Sequence, residues 1–325
     1  MTAAAEIIRR EVEAALPPSH RPLAQWSPPR AREWSWHFDA VGGGTRLLVK
    51  VSRWEGVDTL ERALAEGAQA DTAGEFAALQ AIADAVERSG DEGLAAVRPV
   101  AYVPAVNAVV LEWLEARPLS SALRRTTSPW VAGALLERTG RWLRVAQVAM
   151  GPIALEPIDV LTAPSGRDDG LAGFRSPPPG FDDAAALVAA MGRRLGGRST
   201  PTGTTHGDFS MRNILVTGDG RVAVIDPNRY RGPVLRDPAR LSGELLVGRA
   251  RLVTGGLLPG AARVGRWVEH LMTGFGDHDA EVFAYERAVA VLERWRAAEG
   301  RPGVSRLAVK ANRRLFRSTV SRLGA

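Results

Sequence analysis

The segment THGDFSMRNILVTGDGRVAVID, residues 205–226, constrains this chain more than any other. It places His206, Asp208 and Asn213 within eight positions, in a chain with only 5 His and no Cys, and an apolar run follows at once. Gly218-Asp219-Gly220 predicts the turn of a tight hairpin, NILV going out and VAVI returning. Asp226 ends the return strand, so a hairpin is expected to bring positions 213 and 226 close. Two carboxylates and one amide oxygen on one rim make a hard oxygen set. Such a set suits Mg²⁺, which takes a few protein oxygens and relies on substrate phosphates for the rest. A carboxylate left off the metal can orient an attacking hydroxyl and accept its proton. Together these are the parts of a phosphoryl-transfer site.

The chain has 325 residues, which at roughly 150 per domain suggests two domains or lobes. No apolar run approaches the roughly 18 residues of a membrane span. The opening MTAAAEIIRREVEAAL reads as an amphipathic helix and lacks the apolar stretch of a secretory signal. Without Cys there are no disulfides and no thiolate metal site, and cytoplasm is the expected compartment. The net charge is +6 and the pI about 10.5, which raises nucleic acid or an acidic membrane as a partner. The charge is spread along the chain, however, and of 42 basic residues only Lys50 and Lys310 are lysines. Arg, Ala and Gly richness of this kind reads as codon bias. The exception is the tail, where Arg306 to Arg322 carries six basic residues at near-helical spacing. Residues 304–325 are therefore a candidate contact for anionic lipid or nucleic acid, set against the plainer reading of a solvated helix face.

Hydrophobic periodicity predicts a helix over 2–16, a hairpin of strands 34–41 and 46–54 around Gly42-Gly43-Gly44, and a long helical stretch over 58–88. Two short strands follow at 97–103 and 108–114. After Pro118 the pattern turns helical. Ser128-Pro129 is a start signal for a helix running to about Met150, another helix is expected at 183–195, and four more from residue 238 to the end. Residues 151–182 read as loop. The expected class is α+β, with a small antiparallel-sheet lobe over 1–114 and a mostly helical lobe over 115–325.

HGDFSMRNIL followed by VAVIDP resembles the aminoglycoside phosphotransferase and choline kinase family of small-molecule kinases, a branch of the bilobal protein-kinase-like fold. That family's pattern is His-Gly-Asp, four residues, Asn, then a strand ending in Asp, and Asp208, Asn213 and Asp226 match it position by position. The resemblance implies Asp208 as catalytic base, Asn213 and Asp226 as ligands of Mg²⁺, and His206 as a structural residue bracing the loop. It also implies ATP as phosphoryl donor, with GTP not separated from it. The fold further asks for a strand Lys that meets the α/β-phosphates and a helix Glu that orients it. RLLVK ends in Lys50, in a chain where a basic position is rarely Lys. Glu75, at the head of EFAALQAI, is the favoured partner, with Glu66 second and Glu61 also on the helical stretch. VVLEWLEARPL resembles the hinge between lobes, so Glu112, Trp113 and Leu114 are expected to present backbone groups to the adenine edge.

Two departures shape the functional expectation. Kinases cover the phosphates with a Gly-rich loop, but WSPPRAREW, residues 26–34, has no Gly. Backbone groups, Arg30 or Arg32 are left to hold the phosphates, or nucleotide affinity is poor. The segment after Asp226, PNRYRGPVLRDPARL, leaves no room for a peptide-docking platform, which points to a small-molecule acceptor and away from a protein substrate. Asp237 resembles the family's acidic residue at the start of the helix that follows, and an N-cap role explains it without any catalysis. Sugars, amino alcohols and antibiotic-like molecules are the acceptor classes implied. Arg229, Arg231, Arg236 and Arg240 make a polycationic acceptor unfavourable, and a neutral sugar, an amino alcohol or an anionic acceptor fits better. The competing readings are a nucleotide-binding module without turnover and a basic surface-binding protein using its tail. Deleting residues 304–325 is expected to leave nucleotide binding nearly unchanged.

Overall fold

The structure, a computed structural model, describes residues 2–32, 34–53, 57–65, 72–158, 178–247, 260–298 and 306–324. Glu66, residues 159–177 of the expected loop and residues 304, 305 and 325 of the tail lie outside them. The chain forms two compact units, Met1–Arg117 with Thr217–Pro227, and Pro118–Val216 with Asn228–Ala325. The first unit therefore does not end at a single point near residue 114. It reclaims an eleven-residue segment from the middle of the chain. The cause is local: Ala95 N–H donates to the Val222 carbonyl at 2.8 Å, Val222 N–H donates to the Gly93 carbonyl at 3.1 Å, and Ile225 packs into a hydrophobic cluster of the first unit.

The first unit is built on an antiparallel sheet of β1 (Leu23–Trp26), β2 (Arg30–Ala31), β3 (Ser35–Gly42), β4 (Thr45–Ser52), β5 (Pro99–Val103) and β6 (Ala108–Glu112), in the order β1-β3-β4-β6-β5 with β2 beside β3. Period-two alternation divides β4. Leu47, Val49 and Val51 are buried in one core with Phe38 and Val110, while Leu48 and Lys50 point to the opposite face. Helix α1 (Ala3–Ala15) covers the first core with Ala4, Ala5, Ile8 and Val12, the stripe its helical period creates, and starts where the Thr2 side chain accepts from Ala5 N–H. Each large side chain fully buried here stabilises by roughly 1.5–3 kcal/mol. The long helical stretch appears as α2 (Leu60–Ala65) and α3 (Thr72–Ser89). Helix α3 packs on the other face of the sheet, where Leu79 and Phe76 join Leu48, Val109 and Leu111. The glycine cluster is the tight β3–β4 turn: Gly43 and Gly44 have φ of 57° and 79°, and a Cβ on Gly43 would lie 1.8 Å from the Ser19 carbonyl oxygen.

The second unit is helical around a small antiparallel sheet of Ala154–Pro157, Ser199–Thr205 and Tyr230–Pro233. The helix Pro129–Ala149 crosses Ala261–Phe275 at a contact only glycine permits, since a Cβ on Gly140 would sit 2.1 Å from the Leu271 carbonyl oxygen. Four helices follow residue 235 among the described residues: Arg236–Val247, Ala261–Phe275, Ala280–Ala298 and Arg306–Gly324. The last one corrects the reading of a merely solvated tail. Leu315, Phe316, Thr319 and Val320 are buried, and Phe316 stacks on Trp295 with ring centroids 5.5 Å apart. Lys310, Arg314, Arg317 and Arg322 are exposed on a helix that belongs to the core. No helix of the described residues is long and apolar enough to cross a membrane.

Candidate active site

In the first unit, Lys50 is the centre of an ion-pair set. Its Nζ lies 2.7 Å from Glu75 Oε1 and 2.7 Å from Asp226 Oδ1. Each partner arrives for a structural reason. Glu75 is one helical turn beyond Thr72, whose hydroxyl donates to Ser52 Oγ at 3.0 Å and fixes the start of α3 against the end of β4. Asp226 follows the strand Val222–Val224 in the left-handed region, at φ 59°, a costly conformation for a residue with a side chain. Burial pulls the Lys50 pKa down, but the charges and hydrogen bonds of Glu75 and Asp226 outweigh it and the net shift is upward. Glu61 sits exposed on α2.

Lys50 also belongs to a cross-strand row. Arg30 pairs with His37, and His37 pairs with Lys50, so three basic side chains share one transverse line on the face that α3 covers. Arg30 is held to Asp39 by two bonds of 2.5 and 2.8 Å. His37 is kept neutral, its pKa lowered to about 4 first by burial and then by Lys50. Residues 27–34 join β1 to β3 and contain no glycine, so the loop that is Gly-rich in kinases here carries Arg30 and Arg32.

The expected hinge residues line a cavity of about 440 Å³ with Val86, Arg98 and Arg221. Two of their N–H groups are already committed: Glu112 donates to the Arg98 carbonyl and Trp113 to the Arg46 carbonyl, each at 2.9 Å. Leu114 is the residue of the three whose N–H neither bond uses. The Trp113 side chain is committed too, with the Arg46 guanidinium 3.8 Å from its ring centroid and its Nε1 donating to Glu115 at 2.9 Å.

In the second unit, the loop 206–213 holds Asp208 among three donors. Asn213 Nδ2 donates to Asp208 Oδ2 at 2.9 Å, Arg212 Nη2 lies 2.9 Å from Oδ2, and Arg240 Nη2 lies 3.1 Å from Oδ1. His206 is fully buried, accepts from Asp208 N–H at 3.3 Å and packs its ring edge on Phe209. Gly207 is needed as glycine: its φ is +83°, and a Cβ there would fall 2.3 Å from the Tyr230 ring. Three residues absent from the expected site hold this loop, all from the helix Arg236–Val247. Asp237 accepts from His206 N–H at 2.6 Å and Gly207 N–H at 3.0 Å. Arg240 donates to the Gly207 carbonyl at 2.7 Å, and Glu244 accepts from Met211 N–H at 2.8 Å. The helix starts at Arg236, so Asp237 lies inside its first turn and its fully buried carboxylate grips the loop; it is not the N-cap. The signal was available in DPARLSGE, where polar residues fall at i, i+3 and i+7 on one side of an otherwise apolar helix.

These two constellations meet a sequence comparison that decides the family. Residues 42–243 match the model of the phosphotransferase enzyme family. The chain belongs to that family. No curated protein matches it. Solved structures of small-molecule kinases share the fold of this phosphotransferase-family chain over nearly its whole length. A choline/ethanolamine kinase family protein from Mesorhizobium loti superposes with a TM-score of 0.56 at 18% identity, covering 98% of this chain and 94% of that one. Choline kinase LicA from Streptococcus pneumoniae gives 0.56 at 11% identity, covering 99% and 100%. A thermostable mutant of the aminoglycoside phosphotransferase APH(4)-Ia, solved with AMP-PNP and hygromycin B, gives 0.56 at 12% identity, covering 100% and 99%.

Proposed function

We propose that this family member is an ATP-dependent, Mg²⁺-assisted kinase that transfers a γ-phosphoryl group to the hydroxyl of a small molecule. The observation that carries the reading is the Lys50 set, in which one of only two lysines in the chain meets both a helix Glu and the Asp that closes the motif. In this reading Lys50 faces the nucleotide phosphates and Glu75 orients it. Arg30 and Arg32 supply charge where a glycine loop is missing, and Glu112, Trp113 and Leu114 border the adenine, with the Leu114 N–H as donor. Asp208 accepts the proton of the acceptor hydroxyl as that oxygen forms its bond to the γ-phosphorus. The bond from phosphorus to the β,γ-bridging oxygen breaks, and its electron pair leaves on ADP. A positioned base of this kind contributes roughly 10²–10⁴-fold in rate.

Asn213 and Asp226 are the proposed oxygen ligands of Mg²⁺. Their chemistry fits: the Asn213 Nδ2 group is bound to Asp208, which leaves the amide oxygen as its metal-binding atom. Among the described residues no three His, Cys, Asp or Glu side chains cluster into an all-protein cage. An ion that keeps waters and phosphate oxygens needs none. When bound, Mg²⁺ neutralises phosphate charge in the transferring group. The test is ADP release from MgATP across a panel of sugars, amino alcohols and hydroxy acids. Acceptor-dependent release abolished by Asp208→Asn supports the reading. MgATP binding with no release for any acceptor would favour a nucleotide-binding module without turnover.

A further inference from the structure

The kinase reading leaves His37 without a role, although its ring stands in the row that contains Lys50. The register fixes its place. Val109 pairs with Lys50, Lys50 with His37, and His37 with Arg30, so these residues lie in line across β6, β4, β3 and β2. Strand β6 ends at Glu112, where the hinge segment begins. His37 is therefore one strand, about 4.8 Å, beyond Lys50 on the side away from the hinge strand. With the base at residues 112–114 and Lys50 at the phosphates, a nucleotide that runs on past Lys50 brings its outer phosphates to His37.

The cations in this row are committed. Arg30 is tied to Asp39 by bonds of 2.5 and 2.8 Å, and Lys50 is tied to Glu75 and Asp226. The His37 ring has one hydrogen bond among the described residues, between its Nε2 and Ser35 Oγ at 2.9 Å, and the buried Ser35 hydroxyl has no other partner there. A buried hydroxyl that donates to nothing is costly. Both groups are satisfied when the hydroxyl donates to Nε2, which puts the proton of the neutral ring on Nδ1. The half-buried His37 side chain then carries one N–H, at Nδ1, with no protein partner among the described residues. Residues 26–34 supply no glycine loop to cover the phosphates, so a donor on the sheet itself is placed to meet them. We propose that His37 is a phosphate-binding residue of the nucleotide site, its Nδ1–H donating to an oxygen of the β-phosphate while Ser35 fixes the ring. This rests on the kinase reading above and deepens it.

Calorimetric titration of the full chain with AMP and with MgADP tests the assignment. His37→Gln keeps an amide near the Nε2 position, within reach of Ser35, and has no donor at Nδ1. His37→Asn does the reverse, with its amide nitrogen near Nδ1 and the Ser35 bond lost. The expected result is that His37→Gln loses MgADP affinity roughly tenfold or more with AMP affinity unchanged, and that His37→Asn recovers most of the loss. A ring that only braces β3 through Ser35 gives the opposite order, and that order overturns the proposal. Equal loss in the two variants, equal loss of AMP and MgADP, or no loss in His37→Gln overturns it as well. The wild type gives a reading that needs no variant to fold. In protein labelled with ¹⁵N-histidine, the His37 ring should be protonated at Nδ1, and its Nδ1 resonance should move on adding MgADP and stay on adding AMP. A proton on Nε2 alone, or no movement, contradicts the proposal. Failure of the wild type to bind either nucleotide strikes the kinase reading, and the proposal with it.

Discussion

The two charged constellations are mirror images. In the first unit one ammonium, Lys50, is held by two carboxylates, so the set carries an excess negative charge. In the second unit one carboxylate, Asp208, is held by two guanidiniums and carries the opposite excess. Their settings differ as well. Lys50 and Glu75 are mostly buried between α3 and the sheet, whereas Arg212 is open to solvent. A buried pair loses heavily when one member is removed, because the other charge is stranded. An exposed pair changes partners at little cost. In the proposed reading the buried Lys50–Glu75 pair stays assembled and the more exposed Asp226 is the member that meets a metal ion with its phosphates.

The contrast predicts different failures. The largest effect belongs to Asp208→Asn, which keeps the shape and removes the proposed proton acceptor. Turnover should fall by roughly 10²–10⁴, and steady-state ADP release measures it. Unchanged turnover would remove Asp208 from the chemistry. Next is Phe316→Ala, which opens a cavity beside Trp295 and should destabilise the second unit by about 3–5 kcal/mol in denaturant unfolding. A loss below about 1 kcal/mol would return the last helix to the status of a surface tail. Asp237→Asn should come third. It weakens two charge-assisted bonds to loop N–H groups, with a stability cost of roughly 1–3 kcal/mol. Turnover should drop while MgATP affinity holds, and an affinity loss equal to the turnover loss would contradict this division.

The smallest effect is a pH dependence in the first unit. The folded chain holds His37 at about 4 against an ordinary 6.5, so in that window the unfolded chain binds more protons. Stability should therefore fall as pH drops from about 6.5 toward about 4 and be fully regained above it. His37→Asn should flatten that slope in urea midpoints taken across the window, and a parallel slope would show that other groups cause it.

Much of this was readable in the residues. The spacing of Asp208, Asn213 and Asp226 carried the family, and the scarcity of lysine singled out Lys50. Glu75 stood out because it heads an apolar helix face. What stayed hidden was relational. The anchors Asp237, Arg240 and Glu244 lie on a helix whose apolar pattern draws the eye past its polar stripe. The return of Thr217–Pro227 to the first unit depends on backbone bonds to Gly93 and Ala95, and no side-chain pattern encodes those. The last helix looked solvated because of its six basic residues, although Phe316 is fully buried and stacks on Trp295. Trp113 resembled a contact for the base, yet both its N–H groups are bonded within the first unit.

The central claim is that Asp226 belongs to the nucleotide's metal-dependent site and Asp208 does not. Calorimetric titration of ATP with and without Mg²⁺ into the wild type, Asp226→Asn and Asp208→Asn tests it directly. The account predicts Mg²⁺-dependent binding to the wild type, retained in Asp208→Asn and weakened in Asp226→Asn at least tenfold. Equal affinity in all three proteins, or equal loss in both variants, would contradict it.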